Sequence, residues 1–321
     1  MPFWITKAKR KGLAKKLRIC LESIRSSQSA AKYKQLTPIL DQINETFNQP
    51  EFQQDDLPHI LNGKIYRDHT VAMLIGLLPF FDQPTINAIS TLFQTTIREF
   101  PDESLPKYLI EHTETLDQLL SYFNQPSISN SAHIILRSCA IVTDFTRFLF
   151  QNGCVGSFVQ YLSSDNFDHL STAFATYECL LMIHPDVTAE YFSVKWQIFA
   201  IQIKQLMSSP NYLVQLTFLP ILFRFITNES CKSIFFRFLD DSENLQLIMC
   251  ILKRNSKKIQ MHAYQIFKLF ILNPRKAPPI VNLIKNNRSQ LIKYLKDFFF
   301  DENDVELESE KQTLISTIAN M

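Results

Sequence analysis

Polar turns and long apolar runs alternate along most of the chain, and the alternation returns at a nearly constant interval. The clearest example starts at Asn211, where a polar turn opens the apolar run 213–226, and returns at Ser256, which opens the run 261–272. Each turn ends in an aromatic or branched residue, here called the lead residue. The lead residues stand 42, 39, 45 and 47 residues apart and are Ile86, Ile128, Phe167, Tyr212 and Ile259. That period is typical of armadillo and HEAT repeats.

Two further positions keep the same register after each lead residue. The residues seven positions on are all large and apolar: Phe93, Ile135, Phe174, Leu219 and Ile266. Those eleven positions on are Ile97, Cys139, Glu178, Phe223 and Phe270, of which only Glu178 departs from the pattern. Spacings of four and seven put these residues on one helical stripe, and we expect the five residues seven positions after the lead residues to be buried.

A shorter apolar segment precedes each lead residue. These segments are residues 71–81, 116–123, 155–162, 198–207 and 245–252. Each repeat is therefore predicted to be a short helix, a turn and a longer helix, which makes the fold class all-α: an armadillo/HEAT-like helical-repeat solenoid. An irregular bundle of amphipathic helices is the alternative.

Composition supports the helical interpretation. The chain has 321 residues, of which 46% are hydrophobic, and a solenoid of this length needs no enlarged core. Only 5 glycines occur, which argues against sheets, tight hairpins and phosphate-binding loops. The 27 phenylalanines are suited to filling the space between helices.

The pattern divides the chain into a basic segment, residues 1–34, and a helical-repeat domain, residues 35–321. The basic segment holds ten Lys or Arg residues against one acid, Glu22. Its apolar residues have helical spacing and are Leu13, Leu17, Cys20, Leu21 and Ile24. A basic amphipathic helix of this kind can contact anionic lipid or nucleic acid, although such a face is more often simply solvated.

Two polar stretches are predicted to lie outside the repeats. Residues 44–58 contain Pro50 and Pro58 and are interpreted as a connecting loop. Residues 301–306 are acidic and precede a terminal helix predicted to begin at Ser309, which we interpret as a cap on the last repeat.

The cysteines indicate the cellular compartment in which the protein is expected to fold. The six are dispersed, none has Cys-x-x-Cys spacing, and most lie within apolar runs, so we expect reduced core residues and a cytoplasmic protein. The N-terminus shows no secretory leader pattern, and the longest uncharged apolar run, 71–81, is too short to span a bilayer.

No motif in the chain predicts catalysis. Nucleotide-binding glycine loops, the zinc-protease His-Glu-x-x-His and the serine-hydrolase elbow do not occur. His133, His184 and His262 fall within or at the ends of predicted helices, where packing or capping is their expected role. The acidic stretch 301–310 lacks the central glycine of an EF-hand. We therefore expect no enzyme activity, no small-molecule substrate, no cofactor and no metal.

Several stretches resemble the calcium-binding protein 39 family, also called mouse-protein-25-like. The resemblance is carried by residues 1–3, 167–168, 173–176, 242–245, 259–263, 267–274 and 310–314, and extends over nearly the whole chain. The family is a helical-repeat scaffold that partners the pseudokinase STRAD and sterile-20-type kinases. It implies that this chain binds and allosterically activates such kinases.

The resemblance also implies four partner-binding residues. Phe167 and Tyr212 match positions on the concave kinase-binding face, and Met249 matches a residue of the pocket for a Trp-Glu-Phe peptide tail. Leu216 occupies a position where the family has an arginine. The family's basic and aromatic surface set appears here as Leu216, Pro220, Glu229 and Lys232.

Two other functions fit the same sequence. One is a generic helical-repeat adaptor for protein interactions without a kinase. The other is an RNA-binding solenoid that uses the basic segment and the cluster Lys253, Arg254, Lys257 and Lys258, in which case binding should fall steeply with salt. The basic segment can also contact a membrane. The kinase-scaffold function is the one we expect.

Overall fold

A computed structural model describes residues 9–27, 30–49, 56–67, 69–163, 166–298 and 305–321. Every regular element in these ranges is helical. The predicted all-α class is confirmed. The chain divides into two compact units, Met1–His184 and Pro185–Met321.

The first unit contains eleven α-helices in the described ranges. They are α1 (Leu13–Ser27), α2 (Ala30–Asn48), α3 (Leu57–Arg67), α4 (Thr70–Gly76), α5 (Gln83–Glu99), α6 (Leu105–Glu111), α7 (Thr113–Ser121), α8 (Ser129–Ala140), α9 (Thr143–Gln151), α10 (Cys154–Ser157) and α11 (Phe167–Met182). Short 3-10 turns extend the ends of α4, α7 and α10.

The second unit continues the series with nine α-helices in the same described part of the chain. They are α12 (Pro185–Val194), α13 (Trp196–Met207), α14 (Tyr212–Ile226), α15 (Lys232–Asp240), α16 (Ser242–Leu252), α17 (Lys257–Leu272), α18 (Pro278–Asn286), α19 (Arg288–Asp297) and α20 (Val305–Ala319).

Each repeat has three helices rather than the predicted two. The expected short and long helices are present, for example α13 and α14, but a further helix precedes each pair: α3, α6, α9, α12, α15 and α18. Most of these helices span only seven to eleven residues, so their apolar periodicity covers two or three turns. The unit boundary at His184 falls between two repeats, after α11 and before α12.

The long helices stack in order and form the core of each unit. In the first unit α2 packs on α5, α5 on α8 and α8 on α11, and in the second α14 packs on α17 and α17 on α20. All five residues predicted seven positions after the lead residues are at most 1% exposed: Phe93, Ile135, Phe174, Leu219 and Ile266. The predicted repeat register is confirmed at these positions.

The predicted basic amphipathic helix corresponds to α1. Leu13, Leu17, Leu21 and Ile24 are buried and Cys20 is half-buried, and the helix packs on α2, α3 and α4. Residues 1–8 of the basic segment lie outside the described residues.

Two predicted boundaries were wrong. The predicted loop 44–58 is shorter: residues 44–48 belong to helix α2, Leu57 and Pro58 begin α3, and residues 50–55 lie outside the described residues. Asn44 and Thr46 are polar but buried, because their side chains are bonded to carbonyls: Asn44 Nδ2 donates to Ala88 O at 3.0 Å and Thr46 Oγ1 to Gln42 O at 2.7 Å. The terminal helix begins at Val305 rather than Ser309. It packs on α17 and α19, and Glu310 receives two hydrogen bonds from Lys268 Nζ at 2.8 and 2.9 Å.

The cysteines are all free thiols, but they are not uniformly core residues. Cys139 and Cys231 are buried, Cys20, Cys154 and Cys179 are half-buried, and Cys250 is exposed. Cys250 follows Met249 on α16 and lies two positions from both Ile248 and Leu252, which belong to the buried stripe of that helix.

Candidate partner-binding surface

The lead residues fall into two classes of exposure. Ile86, Ile128 and Ile259 are 3%, 2% and 2% exposed, whereas the aromatic pair Phe167 and Tyr212 are 62% and 46% exposed.

The two classes differ in their position in the first helical turn. Phe167 and Tyr212 are the first residues of α11 and α14, whereas Ile259 is the third residue of α17 and Ile86 the fourth of α5. Ile128, the residue before α8, is nevertheless buried, and every lead residue precedes a buried residue by seven positions on the same helical face. Position in the first helical turn therefore accompanies the difference in exposure, but rotation about the helix axis does not cause it.

Phe167 is held at the start of α11 by the preceding asparagine. Asn166 Oδ1 accepts hydrogen bonds from the backbone N–H groups of Asp168 at 3.0 Å and His169 at 3.2 Å. This is a regular N-cap, and it fixes the direction in which the chain enters the helix. Phe167 is therefore an exposed aromatic ring on an ordered helix start in the first unit.

Tyr212 is held in the same way in the second unit. Asn211 Oδ1 accepts a hydrogen bond from Leu213 N at 2.9 Å, and Tyr212 is the next residue after the cap. The Tyr212 hydroxyl lies 3.4 Å from Oγ of Ser256, which itself caps α17. Tyr212 thus reaches from the start of one long helix to the start of the next.

An apolar stripe continues from Tyr212 along α14. Leu216 and Pro220 follow at intervals of four residues and are both half-buried. Pro220 lies inside the helix and has no N–H to offer the Leu216 carbonyl. Tyr212, Leu216 and Pro220, here called the α14 stripe, carry no charge, so the face can bind apolar groups without desolvating an ion.

Met249 lies in a separate small pocket between α16 and α19. The cavity measures about 40 Å³, and its wall is formed by Met249, Leu252, Lys253, Gln290, Leu291 and Tyr294. The Tyr294 hydroxyl donates a 2.6 Å hydrogen bond to Leu252 O and closes one side. Burial raises the pKa of Tyr294 to about 12, so this phenol stays protonated and remains a donor at neutral pH.

Glu229 and Lys232, the other two positions that correspond to the family's basic and aromatic surface set, do not form a basic patch. Glu229 opens the 3-10 turn Glu229–Cys231, and Lys232 opens α15; both are exposed. Because one is an acid and the other a base three residues away, the two charges oppose each other in any field they present to a partner.

The structure therefore brings together only part of the predicted site. Tyr212 and Leu216 share one face of α14, Met249 has its own pocket in the same unit, and Phe167 lies in the first unit. Lys253 and Tyr294 were not predicted as pocket residues. Lys253 has a sequence signal, because it follows Met249 by four positions at the end of the same helix. Tyr294 lies three helices later and has no such signal.

The expected packing role of the histidines is borne out for His133. It is 1% exposed, its Nδ1 lies 3.0 Å from Thr176 Oγ1, and its ring stacks on Phe123 with 3.8 Å between centroids. Burial and the nearby Arg137 guanidinium lower the pKa of His133 to about 3. Within the described ranges no group of three or more His, Cys, Asp or Glu side chains is placed to hold a metal ion.

No helix in the described part of the chain is both long enough and apolar enough to cross a bilayer.

Comparison with known proteins places these features in a family. A family model described as Mo25-like matches residues 3–321. A "Mo25-like protein" of Schizosaccharomyces pombe is 28% identical over 269 residues, which cover 83% of this chain and 82% of the relative. A human protein named "Calcium-binding protein 39-like" is 27% identical over 264 residues, covering 81% of this chain and 78% of the relative. The "Degreening-related gene dee76 protein" of Auxenochlorella protothecoides is 28% identical and covers 78% and 79%.

Proposed function

The chain belongs to the Mo25-like family, and we propose that it is a non-catalytic scaffold that binds protein kinases or pseudokinases of the sterile-20 and STRAD type and activates them. The observation that carries the proposal is the exposure of Phe167 and Tyr212 where other lead residues are buried. Each is an aromatic ring fixed on a capped helix start. Such residues make strong anchors at protein interfaces, because they bury a large area with little loss of side-chain entropy.

The α14 stripe supports an apolar docking surface for the folded kinase. Tyr212 supplies a hydroxyl at the edge of the stripe, while Leu216 and Pro220 supply uncharged surface below it. A family arginine at the Leu216 position would add a charge-assisted hydrogen bond to a carboxylate. In this chain that bond is replaced by apolar contact, so the preferred partner carries an apolar rather than an acidic group at this point.

The Met249 pocket supports binding of a tail peptide that contains tryptophan. The cavity of about 40 Å³ is too small for a whole indole ring, but a methionine side chain in the wall is flexible and can move aside. Lys253, exposed at the rim, is a cation for an acidic residue next to the tryptophan. Lys253 would then supply the charge that Leu216 does not.

Activation needs a difference in affinity between two kinase conformations. A scaffold that binds the closed, active conformation tenfold more tightly than the open one shifts the equilibrium tenfold, equivalent to about 1.4 kcal/mol. Equal affinity for both conformations gives binding without activation.

Substitution of Tyr212 by Ala tests the proposal. We expect the Kd for the isolated catalytic domain of a sterile-20-type kinase to rise at least about tenfold, and stimulation of its phosphotransfer to fall in parallel, because an interface anchor is lost. Phe80→Ala is the matched control, since Phe80 is also a ring exposed at a helical turn and is 54% exposed.

Four results decide among the functions. Equal effects of Tyr212→Ala and Phe80→Ala would contradict the proposed surface. Kinase binding without any stimulation would contradict activation, and absence of kinase binding would favour the generic adaptor. Binding of RNA that competes with the kinase and weakens steeply with salt would favour the RNA-binding function.

A further inference from the structure

Helix α1 has an inner and an outer face of different chemistry. Leu17, Leu21 and Ile24 are 0% exposed and hold the helix in the first unit. On the opposite side Lys15 and Lys16 are exposed. Ile19 projects between these two lysines around the helix and is 51% exposed. An isoleucine at the outermost position of an otherwise well-packed amphipathic helix contributes nothing to the core.

The outer side of this region is strongly positive. Residues 9–27 include the exposed cations Lys9, Lys11, Lys15, Lys16 and Arg25. The one acid in the range, Glu22, lies 3.6 Å from Arg18 Nε and is already paired. Within residues 9–27 the exposed cations therefore outnumber the acid by five to one.

We propose that the outer face of α1 docks on a bilayer surface that contains anionic phospholipid. Lys15 and Lys16 attract the headgroups, and Ile19, which lies between them around the helix, enters the interfacial layer. Attraction by a few basic residues together with one apolar insertion gives reversible binding, which is the expected behaviour of a peripheral protein. This face shares no residue with the proposed kinase-binding surface. Membrane docking would bring the scaffold to a bilayer surface.

The chemistry of the face favours lipid over nucleic acid. Residues 9–27 contain no aromatic side chain on which a base could stack, and lysine predominates over arginine among the exposed cations. An exposed isoleucine gains free energy by entering an interface but gives no favourable contact to a phosphate backbone.

Vesicle flotation with the full chain tests the proposal. The wild-type protein should float with phosphatidylcholine vesicles that contain phosphatidylserine, remain in solution with pure phosphatidylcholine, and be released by high salt. Lys15→Gln with Lys16→Gln should lower the partition coefficient about thirtyfold, as expected for two basic residues near an anionic leaflet. Ile19→Gln should lower it about tenfold, because apolar burial is lost.

Lys257→Gln with Lys258→Gln is the matched control. It removes the same charge from two exposed lysines at a helix start in the second unit, and should leave the partition coefficient unchanged within about twofold. Comparable loss in both double variants would overturn the proposal, as would equal flotation with neutral vesicles.

Single-stranded RNA is the second probe. If RNA binds, and the Lys15/Lys16 variant abolishes that binding while wild-type protein ignores the vesicles, the face is a nucleic-acid surface and the proposal fails. Because all three substituted side chains are exposed, melting curves should match those of the wild type. Should the double variant nevertheless unfold, Ile19→Gln alone decides the result.

Discussion

Phe174 illustrates what a single core position contributes to this fold. It lies on α11 and is 1% exposed. Replacement by Ala should lower the free energy of unfolding by about 3–5 kcal/mol, because the change removes buried apolar area and leaves a cavity. Urea denaturation measures the loss. Phe80→Ala, at a position 54% exposed in the same unit, should change stability by no more than about 0.5 kcal/mol. A Phe174 effect as small as that of Phe80 would show that this stripe is not core.

His133 predicts a pH dependence of stability. Its pKa is about 3 in the folded chain, against 6.5 for the ordinary side chain, so between these values the unfolded chain binds a proton that the native state excludes. The contribution of His133 to the free energy of unfolding is therefore fully present above pH 6.5. As the pH drops below that value, this contribution falls by about 1.4 kcal/mol per pH unit.

A variant without the histidine isolates this contribution. Between pH 7 and pH 5 the wild type should lose about 2 kcal/mol more than His133→Phe, which keeps a ring against Phe123. Thr176 retains its bond to Thr172 O at 3.1 Å in that variant. Parallel stability curves for the two proteins in urea would show that His133 charges without penalty in the folded state.

For single residues, the sequence predicted which side chains are buried more accurately than which are exposed. The residues seven positions after each lead residue are core because the helical period fixes them on one stripe. The lead residues precede these core positions by the same seven residues, yet Ile259 is buried and Tyr212 is exposed. Apolar periodicity does not carry that information.

The long helices depend on their caps. Asn211→Ala removes the side-chain acceptor for Leu213 N at the start of α14 and should lower the free energy of unfolding by about 1 kcal/mol. Asn211→Asp keeps an acceptor oxygen and should preserve most of the stability. Thermal unfolding of the two variants measures the difference. Equal losses would mean that the cap contributes little and that packing of α14 against α17 alone holds its first turn.

Among the elements, the long helices could be predicted and the short ones could not. α14 and α17 carry fifteen and sixteen residues with strong apolar character, enough for several helical periods. α15 has nine residues, of which Ile234, Phe238 and Leu239 are buried, so its pattern spans little more than two turns. The end of α2 was missed for another reason: Asn44 is polar yet buried, because Ala88 O accepts its amide N–H.

For the whole molecule, the fold class follows from the periodic pattern and the family from the resemblance of particular stretches, whereas the partner site follows from neither. The 39- to 47-residue period reports a repeat that each unit builds by stacking like helices. A binding pocket such as that of Met249 combines residues from α16 and α19, some forty positions apart, and no local period connects them. The candidate surface therefore rests on a few exposed residues in each unit, and these must be tested separately.

The last prediction is that tail-peptide binding and membrane docking are separable. Met249→Glu places a carboxylate in the pocket wall, four positions before Lys253, where it repels an acidic peptide and occupies the Lys253 ammonium group, so we expect binding of a Trp-containing tail peptide to be lost. Cys250→Glu introduces a similar charge at the next, exposed position and should leave binding intact. Neither variant should change the helical circular dichroism or the flotation with anionic vesicles.

Lys15→Glu with Lys16→Glu should do the reverse, abolishing flotation while kinase and peptide binding persist. If the lysine variant instead loses the kinase and Met249→Glu keeps the peptide, the partner surface lies on the basic helix and not on the second unit.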